Sequence, residues 1–193
     1  MTLLENAMPQ MEVFHATGTH GTLFDFSDLV SPVGTALFRE TYMGRRPFFV
    51  KRNREGWFDS LVTVDEVAGL LSSTVFYDTE LRVAKDGAVY PSSRVAVNGV
   101  IDRNMVWDAY SEGATLVFEH LNRKHPGILR LMGRCEQEFL IPFRANAYIT
   151  PPASKGFDLH YDTHDVLILQ VSGRKLWQIH DDPLPLPHED QPF

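Results

Sequence analysis

The hydrophobic pattern of the chain changes near Asn146, and this change limits the folds that the 193 residues can adopt. Before it, apolar residues recur at helical intervals. After it, short apolar runs alternate with Pro and Gly, which is typical of strands and turns. The later runs are residues 147–150, 166–171 and 176–179, and Ser172-Gly173 predicts a hairpin between the last two. The pattern predicts an α+β chain whose mixed helical N-terminal region leads into β-structure.

The first predicted helix lies between Ser31-Pro32 and Gly44. Serine is a favoured N-cap, proline suits the first helical turn, and glycine commonly follows a helix end. A stripe of apolar residues would bury one side of this helix, and it consists of Val33, Leu37, Phe38 and Tyr42. The segment is therefore expected to pack against a core.

Two more helices are predicted further along the chain. Thr63 and Glu66 have the spacing of a capping box, in which each side chain bonds the other residue's backbone amide at a helix start. Apolar residues at helical intervals predict a third helix over residues 126–140. On this helix Cys135 is expected to be a core residue.

Composition narrows the chemistry and the partners. Cys135 is the only cysteine, so a metal site has to be built from His, Asp and Glu. The formal charge of -7 predicts no direct nucleic-acid binding. One basic cluster is expected to be a solvated face around a turn, and it consists of Arg45, Arg46, Lys51, Arg52 and Arg54. The start MTLLENAMPQM lacks a secretion signal and no apolar run is long enough for a membrane span, which predicts a cytoplasmic location.

His160 and Asp162 are the candidate metal ligands. On an extended segment residues two apart point to the same face, where both side chains can bind one ion. A histidine and a carboxylate are two members of the facial triad that holds non-haem Fe(II) and leaves positions open for cosubstrate and oxygen. The spacing alone does not identify a metal site, because it also occurs in His180 with Asp182 and in His188 with Asp190.

The sequence around His160 is more specific than the spacing. Three motifs follow in order: N-x-Y-x-T-P-P over 146–152, G-F-x-x-H-x-D over 156–162 and Q-x-x-G-R-K-x-W over 170–177. With these motifs the chain resembles the cupin-type JmjC ribosomal oxygenases, which are Fe(II)- and 2-oxoglutarate-dependent protein hydroxylases. The upstream segments RETYMGRRPFFVKR and SEGATLVFEHL are also similar to that family. The resemblance extends from about residue 38 to residue 180.

The resemblance implies a set of site residues and cofactors. His160 and Asp162 would bind Fe(II), and Lys175 would form a salt bridge to the distal carboxylate of 2-oxoglutarate, with O2 as the second cosubstrate. A buried dicarboxylate needs a cationic partner, which a lysine supplies as a point charge. Arg174 on the opposite strand face is the rival, and an ordinary exposed lysine is the other interpretation of Lys175.

The resemblance also places Asn146 and Tyr148 as pocket-facing residues that orient polar groups of cosubstrate and substrate. Packing of a buried tyrosine explains Tyr148 equally well. The family's third iron ligand, a histidine on a later strand, would lie beyond Phe193. On a strand the Cα atom of His164 would lie ~13 Å from that of His160, at ~3.3 Å per residue, which is too far for adjacent positions on one ion.

The implied fold is an N-terminal mixed α/β region over residues 1–140 followed by a truncated double-stranded β-helix, the cupin or JmjC jelly roll, over 141–193. The implied function is hydroxylation of a protein side chain, with a ribosomal protein as partner and demethylation as a variant of the same chemistry. The full-length form is expected to dimerise, and the 193 residues alone are expected to be inactive. The alternative is a non-catalytic or truncated cupin module that acts only in binding or interaction.

Overall fold

Two units divide the chain in the computed structural model, one formed by Met1–Leu61 with Tyr161–Phe193 and the other by Val62–His160. The structure describes residues 11–16, 23–180 and 188. Within those residues helices and strands are mixed, as predicted. No helix in these ranges is both long and apolar enough to cross a membrane.

The first unit contains a two-stranded parallel sheet. Strand β1 (Glu12–Ala16) pairs with β2 (Phe48–Arg52), and helices α1 (Phe26–Val30) and α2 (Thr35–Thr41) lie between them in the sequence. Aromatic side chains join the sheet to α2, because the ring centroids of Phe38 and Phe48 lie 5.2 Å apart. Burial of such rings supplies most of the apolar area that a small core needs.

The start of the first predicted helix is wrong. Ser31 is the C-cap of α1, and α2 begins at Thr35 after Gly34. The reason is local: Asp25 and Asp28 form a capping box, which starts a short helix just before Ser31. The predicted end is confirmed, because α2 stops at Thr41 and Gly44 has a φ of +63°.

The predicted solvated basic cluster is wrong at two positions, because Lys51 and Arg52 lie in strand β2 and are partly buried. Arg52 is partly buried, and its guanidinium donates to the carbonyl oxygens of Asp28 and Leu29 at 2.8 and 2.7 Å. It also lies 5.2 Å from the centroid of the Trp57 ring. Burial lowers the pKa of Arg52 below its ordinary value. Arg52 therefore satisfies carbonyls near the end of α1, whereas Arg45, Arg46 and Arg54 are exposed as predicted.

The second unit contains three helices: α3 (Val64–Ser73), α4 (Arg103–Ser111) and α5 (Pro126–Phe139). Short 3-10 turns cover Ser92–Arg94 and Leu121–Arg123. The capping box of Thr63 and Glu66 at the start of α3 is confirmed. The helix predicted from Pro126 is also confirmed, and the apolar side that it presents to the core includes Cys135, which is 0% exposed.

A four-stranded antiparallel sheet forms the centre of the second unit. Its order is β4 (Ala88–Val89), β3 (Leu81–Lys85), β7 (Thr115–Phe118) and β8 (Ala147–Ile149). A separate hairpin pairs β5 (Ala96–Val97) with β6 (Val100–Ile101). Every residue of β7 is at most 2% exposed, so this strand is the middle of the core, and β8 lies at the sheet edge.

The strands predicted over 166–171 and 176–179 are absent from the structure, as is the hairpin between them, and residues 151–180 contain no helix or strand. Many apolar side chains of this stretch are exposed, with Val166 at 53% and Leu176 at 66%. An apolar run becomes a strand only where a neighbouring strand bonds its backbone, and none of the described strands pairs with these residues.

Candidate functional site

The first candidate residue, Asn146, stands directly before β8. Its side-chain oxygen accepts a hydrogen bond of 3.0 Å from the backbone amide of His120, which follows β7. His120 has a left-handed backbone with a φ of +51°. Asn146 therefore ties the turn after β7 to the start of β8. Its orientation toward a reaction pocket stays a prediction.

Tyr148 pairs with Val117 across the sheet and is 47% exposed. A buried tyrosine is therefore not the explanation of this position. The Tyr148 ring meets the ring of Phe157 edge-on, with centroids 6.2 Å apart at an angle of 79°. This contact links β8 to the segment that leads to His160.

The loop after β8 is fastened to the sheet at three points. The hydroxyls of Thr150 and Thr115 are 3.0 Å apart, and the carbonyl oxygens of Lys155 and Gly156 accept bonds of 2.9 and 3.0 Å from the backbone amides of residues 86 and 87. A Cβ atom on Gly156 would lie 2.8 Å from the Thr115 hydroxyl. The glycine of the G-F-x-x-H-x-D motif is therefore required for close approach to β7.

The His160 imidazole is held by two contacts. Its Nδ1 atom lies 2.7 Å from the carbonyl oxygen of Asp158, and its ring centroid lies 6.0 Å from that of Phe157. A carbonyl oxygen can only accept, so this contact is a hydrogen bond when Nδ1 carries the hydrogen, and in that tautomer the uncharged ring has a lone pair on Nε2. This is the tautomer that binds a metal ion through Nε2, and a backbone carbonyl is a usual partner of the other nitrogen.

Asp162 and Lys175 belong to the first unit and lie in the stretch without strands. The sequence prediction assumed that side chains alternate along a strand at Asp162, His164, Arg174 and Lys175. These residues are not in a strand, so that assumption does not apply to them. Their assigned roles stay predictions. The Asp162 side chain is exposed, as is that of His164.

Lys175 has one property that bears on its predicted role. The residue is exposed over much of its surface, yet desolvation of its ammonium group lowers its pKa below the ordinary lysine value. The two observations are compatible because nearby atoms displace part of the water around the charge. Desolvation disfavours the charged form, and an anionic partner would offset that cost.

The H-x-D spacing of His160 and Asp162 also occurs at His180 and His188. His180 and His188 are exposed, and their partners in the H-x-D spacing, Asp182 and Asp190, lie outside the described residues. Across ranges 11–16 and 23–180, with residue 188, no group of three or more His, Cys, Asp or Glu side chains is arranged to hold a metal ion.

Sequence reasoning missed the residues that support His160. Phe157 contacts both Tyr148 and His160, Asp158 supplies the carbonyl, and Thr115 provides the surface on which Gly156 rests. The signal was present in part, because a glycine followed by an aromatic residue just before a candidate ligand indicates close backbone packing.

One protein-family profile matches part of the chain. The JmjC domain profile matches residues 121–192, which include β8, the loop after it and both candidate ligands. The predicted resemblance to the JmjC ribosomal oxygenases is confirmed for this part of the family's sequence.

The individual relatives carry related names. The chain is 27% identical over 164 residues to the bifunctional lysine-specific demethylase and histidyl-hydroxylase NO66 of Dictyostelium discoideum, covering 79% of this chain and 30% of that protein. The protein of the same name from Drosophila grimshawi is 30% identical, with 81% and 22% covered. Ribosomal oxygenase 1 of Gallus gallus is 28% identical, with 80% and 26% covered. The chain thus spans less than a third of the length of each of these relatives.

Proposed function

We propose that this chain carries part of the active site of an Fe(II)- and 2-oxoglutarate-dependent dioxygenase that hydroxylates a protein side chain. The observation that carries the proposal is the bond between Nδ1 of His160 and the carbonyl oxygen of Asp158, within the JmjC match. This bond leaves Nε2 of His160 available as a ligand.

The donor set fits Fe(II) in chemistry. His160 would supply a neutral imidazole nitrogen and Asp162 a carboxylate, which are ligand types of the non-haem iron triad. Bound iron supplies the activation of O2 that oxidises an unactivated carbon. The chain's own groups do the rest: the Phe157 ring restricts the imidazole, and the Lys175 ammonium attracts the distal carboxylate of 2-oxoglutarate. The third iron ligand stays unassigned.

The proposed architecture is the JmjC jelly roll from residue 141 onward, preceded by the mixed region of residues 1–140. Support comes from β8, an edge strand of the central sheet that immediately precedes the ligand loop. An edge strand offers unpaired backbone groups to a further strand. Residues 166–171 and 176–179 would become strands when later parts of such a barrel pair with them.

The substrate that we propose is a side chain of a ribosomal protein. Its support is the name of the relative from Gallus gallus and the histidyl-hydroxylase named in Dictyostelium discoideum. Demethylation is the second activity in the latter name and would use the same oxidising centre. A cytoplasmic location and a homodimer stay predictions. The competing function is a non-catalytic module that binds without turnover.

Turnover of 2-oxoglutarate to succinate tests the proposal in a protein of the same length as the relatives. His160→Ala should lower Fe(II)-dependent turnover by at least about 100-fold, because an iron ligand is lost. His164→Ala is the matched control and should retain it. Wild-type turnover in the His160→Ala variant would mean that the iron is bound elsewhere, and no turnover in the wild-type protein would favour the non-catalytic module. The 193-residue chain alone should show no turnover.

A further inference from the structure

We infer that Glu119, held by Arg82, is a specificity-determining residue of the proposed site and that it accepts a hydrogen bond from an uncharged N–H group of the target side chain. The inference rests on the proposed function, because it names the substrate class of that same site. Its geometry comes from the second unit alone, which contains β3, β7, β8 and the loop as far as His160.

The ion pair of Arg82 and Glu119 lies on one face of the central sheet. Tyr148 is paired with Val117, and Val117 is paired with Arg82, so these three side chains project from the same face. Glu119 is two residues beyond Val117, and its amide continues the ladder by donating to the carbonyl oxygen of Glu80 at 2.8 Å. Glu119 and Tyr148 are therefore diagonal neighbours, which typically lie ~7–8 Å apart, within reach of long side chains.

The loop that carries His160 packs on this same face. Thr115 shares the face by alternation along β7, and its hydroxyl lies close to Gly156 of the loop, only 2.8 Å from where a Cβ atom would stand. The ring of Phe157 then contacts the rings of Tyr148 and His160, with centroids 6.2 and 6.0 Å away. The ion pair and the candidate iron ligand therefore lie on one side of the sheet.

The Glu119 carboxylate has one oxygen engaged and one available. Nε of Arg82 donates to Oε1 of Glu119 at 2.6 Å, and Nη2 of Arg82 contacts the same oxygen. Within the part of the chain that the structure describes, no group bonds Oε2 of Glu119. The Glu119 side chain is only 15% exposed, so water reaches it poorly. A shielded carboxylate oxygen without a donor is costly, and a bound N–H group would remove that cost.

The charge of the pair decides which donor fits it best. Arg82 and Glu119 together are neutral, so a guanidinium or ammonium group at Oε2 would be attracted by one partner and repelled by the other. Such a cation would also lose much of its own hydration. An uncharged N–H, from an imidazole or a carboxamide, loses less hydration and still forms a charge-assisted bond with the carboxylate. The pair therefore favours histidine, asparagine or glutamine over arginine or lysine as the target.

The test first identifies the target residue. A protein of the relatives' length is incubated with Fe(II), 2-oxoglutarate, O2 and purified ribosomal proteins, and mass spectrometry locates the added oxygen atom. The modified residue should be histidine, asparagine or glutamine. An arginine, a lysine or a residue without a side-chain N–H would overturn the inference. A synthetic peptide around the modified residue then serves as the probe for the variants.

Glu119→Gln separates recognition from structure. The amide oxygen of the variant can still accept from Arg82, but an NH2 group replaces Oε2 and cannot accept from the target. The KM for the peptide should rise about 10- to 100-fold, the loss of one hydrogen bond to a charged group, while conversion of 2-oxoglutarate to succinate without peptide should stay as in wild type. Glu112→Gln is the matched control, because Glu112 forms an exposed ion pair with Arg94 at 3.6 Å. Equal KM values in the two variants would overturn the inference.

Arg82→Gln tests the role of the charge and keeps the inference testable if Glu119→Gln does not fold. The probe peptide is compared, by binding to the metal-free protein, with the same peptide carrying arginine at the target position. The ratio of the two Kd values should shift about 10-fold toward the arginine peptide, because the charge of Glu119 is no longer offset, and Arg94→Gln should leave it unchanged. An unchanged ratio in Arg82→Gln would overturn the inference. No conversion of 2-oxoglutarate by wild type would refute the proposed function itself, whereas conversion with unaltered peptide recognition in the variants would refute only the role of the pair.

Discussion

Two apolar stretches of similar composition, strand β7 and residues 166–171, differ in how far they are buried. The four residues of β7 are at most 2% exposed, whereas Val166, Leu167 and Ile168 are 53%, 37% and 53% exposed. The difference lies in pairing, because β7 has β3 on one side and β8 on the other, and residues 166–171 pair with no described strand. An apolar sequence therefore favours burial, but it is buried in a sheet only where neighbouring strands pair with it.

A matched pair of leucines should show the largest contrast between the stretches. Leu116 in β7 is 0% exposed and Leu176 is 66% exposed. Leu116→Ala should lower the free energy of unfolding by about 2–5 kcal/mol, because it leaves a cavity in a packed core. Leu176→Ala should change it by less than about 0.5 kcal/mol. Urea unfolding of both variants measures the difference, and equal losses would show that residues 161–180 are packed as well as β7.

The next largest effect is expected on 2-oxoglutarate binding by Lys175, which lies in the stretch without strands. In a protein of the relatives' length, Lys175→Ala should raise the apparent KM for 2-oxoglutarate about 10- to 100-fold, the value of a charge-assisted bond of about 1.5–3 kcal/mol. Iron binding should stay nearly unchanged. Arg174→Ala is the control. If Arg174→Ala raises the KM and Lys175→Ala does not, the carboxylate partner is Arg174, and the sequence motif was assigned to the wrong neighbour.

The sequence predicted well those elements whose signals are local. The capping box of Thr63 and Glu66, the helix from Pro126 and the buried Cys135 all depend on residues within one helix and are confirmed. The helix start at Ser31 was wrong because a second capping signal, Asp25 with Asp28, lies just upstream and starts a separate short helix.

The sequence predicted less well what depends on distant partners. Residues 166–171 have strand composition, but strand formation needs backbone partners that no local pattern reveals. The site shows the same limit. The motif identified His160, while its support by the β3–β4 turn involves Gly87, more than 70 positions earlier, which no spacing rule connects to it. The JmjC resemblance could name candidate ligands without showing what holds them.

The smallest expected effect is electrostatic and lies in the second unit. Hydrogen bonding to Thr63, first from its backbone amide, lowers the pKa of Glu66 below the ordinary glutamate value. The ionised form is favoured in the folded state, so its stabilisation is present above the unfolded pKa and is lost as pH falls through the folded pKa. Glu66→Gln should lower the free energy of unfolding at pH 7 by less than about 1 kcal/mol, since the side chain is 55% exposed.

Urea unfolding of this variant and of wild type, at neutral pH and near pH 3, measures how the stabilisation by Glu66 depends on pH. The difference between the two proteins should shrink as the pH falls through the folded pKa of Glu66. Glu55→Gln, at an exposed position outside the helices, is the control. A difference that persists unchanged at low pH would mean that Glu66 acts by packing rather than by charge.

The ligand assignment can be read directly with Mn(II), a paramagnetic ion that accepts the same nitrogen and oxygen donors and broadens the amide signals of nearby residues. In the 193-residue chain the broadening should centre on the amides around His160 and Asp162. It should disappear in His160→Ala and persist in His180→Ala. Broadening that centres on His180, or that His160→Ala leaves unchanged, would contradict the assignment of His160 as a metal ligand.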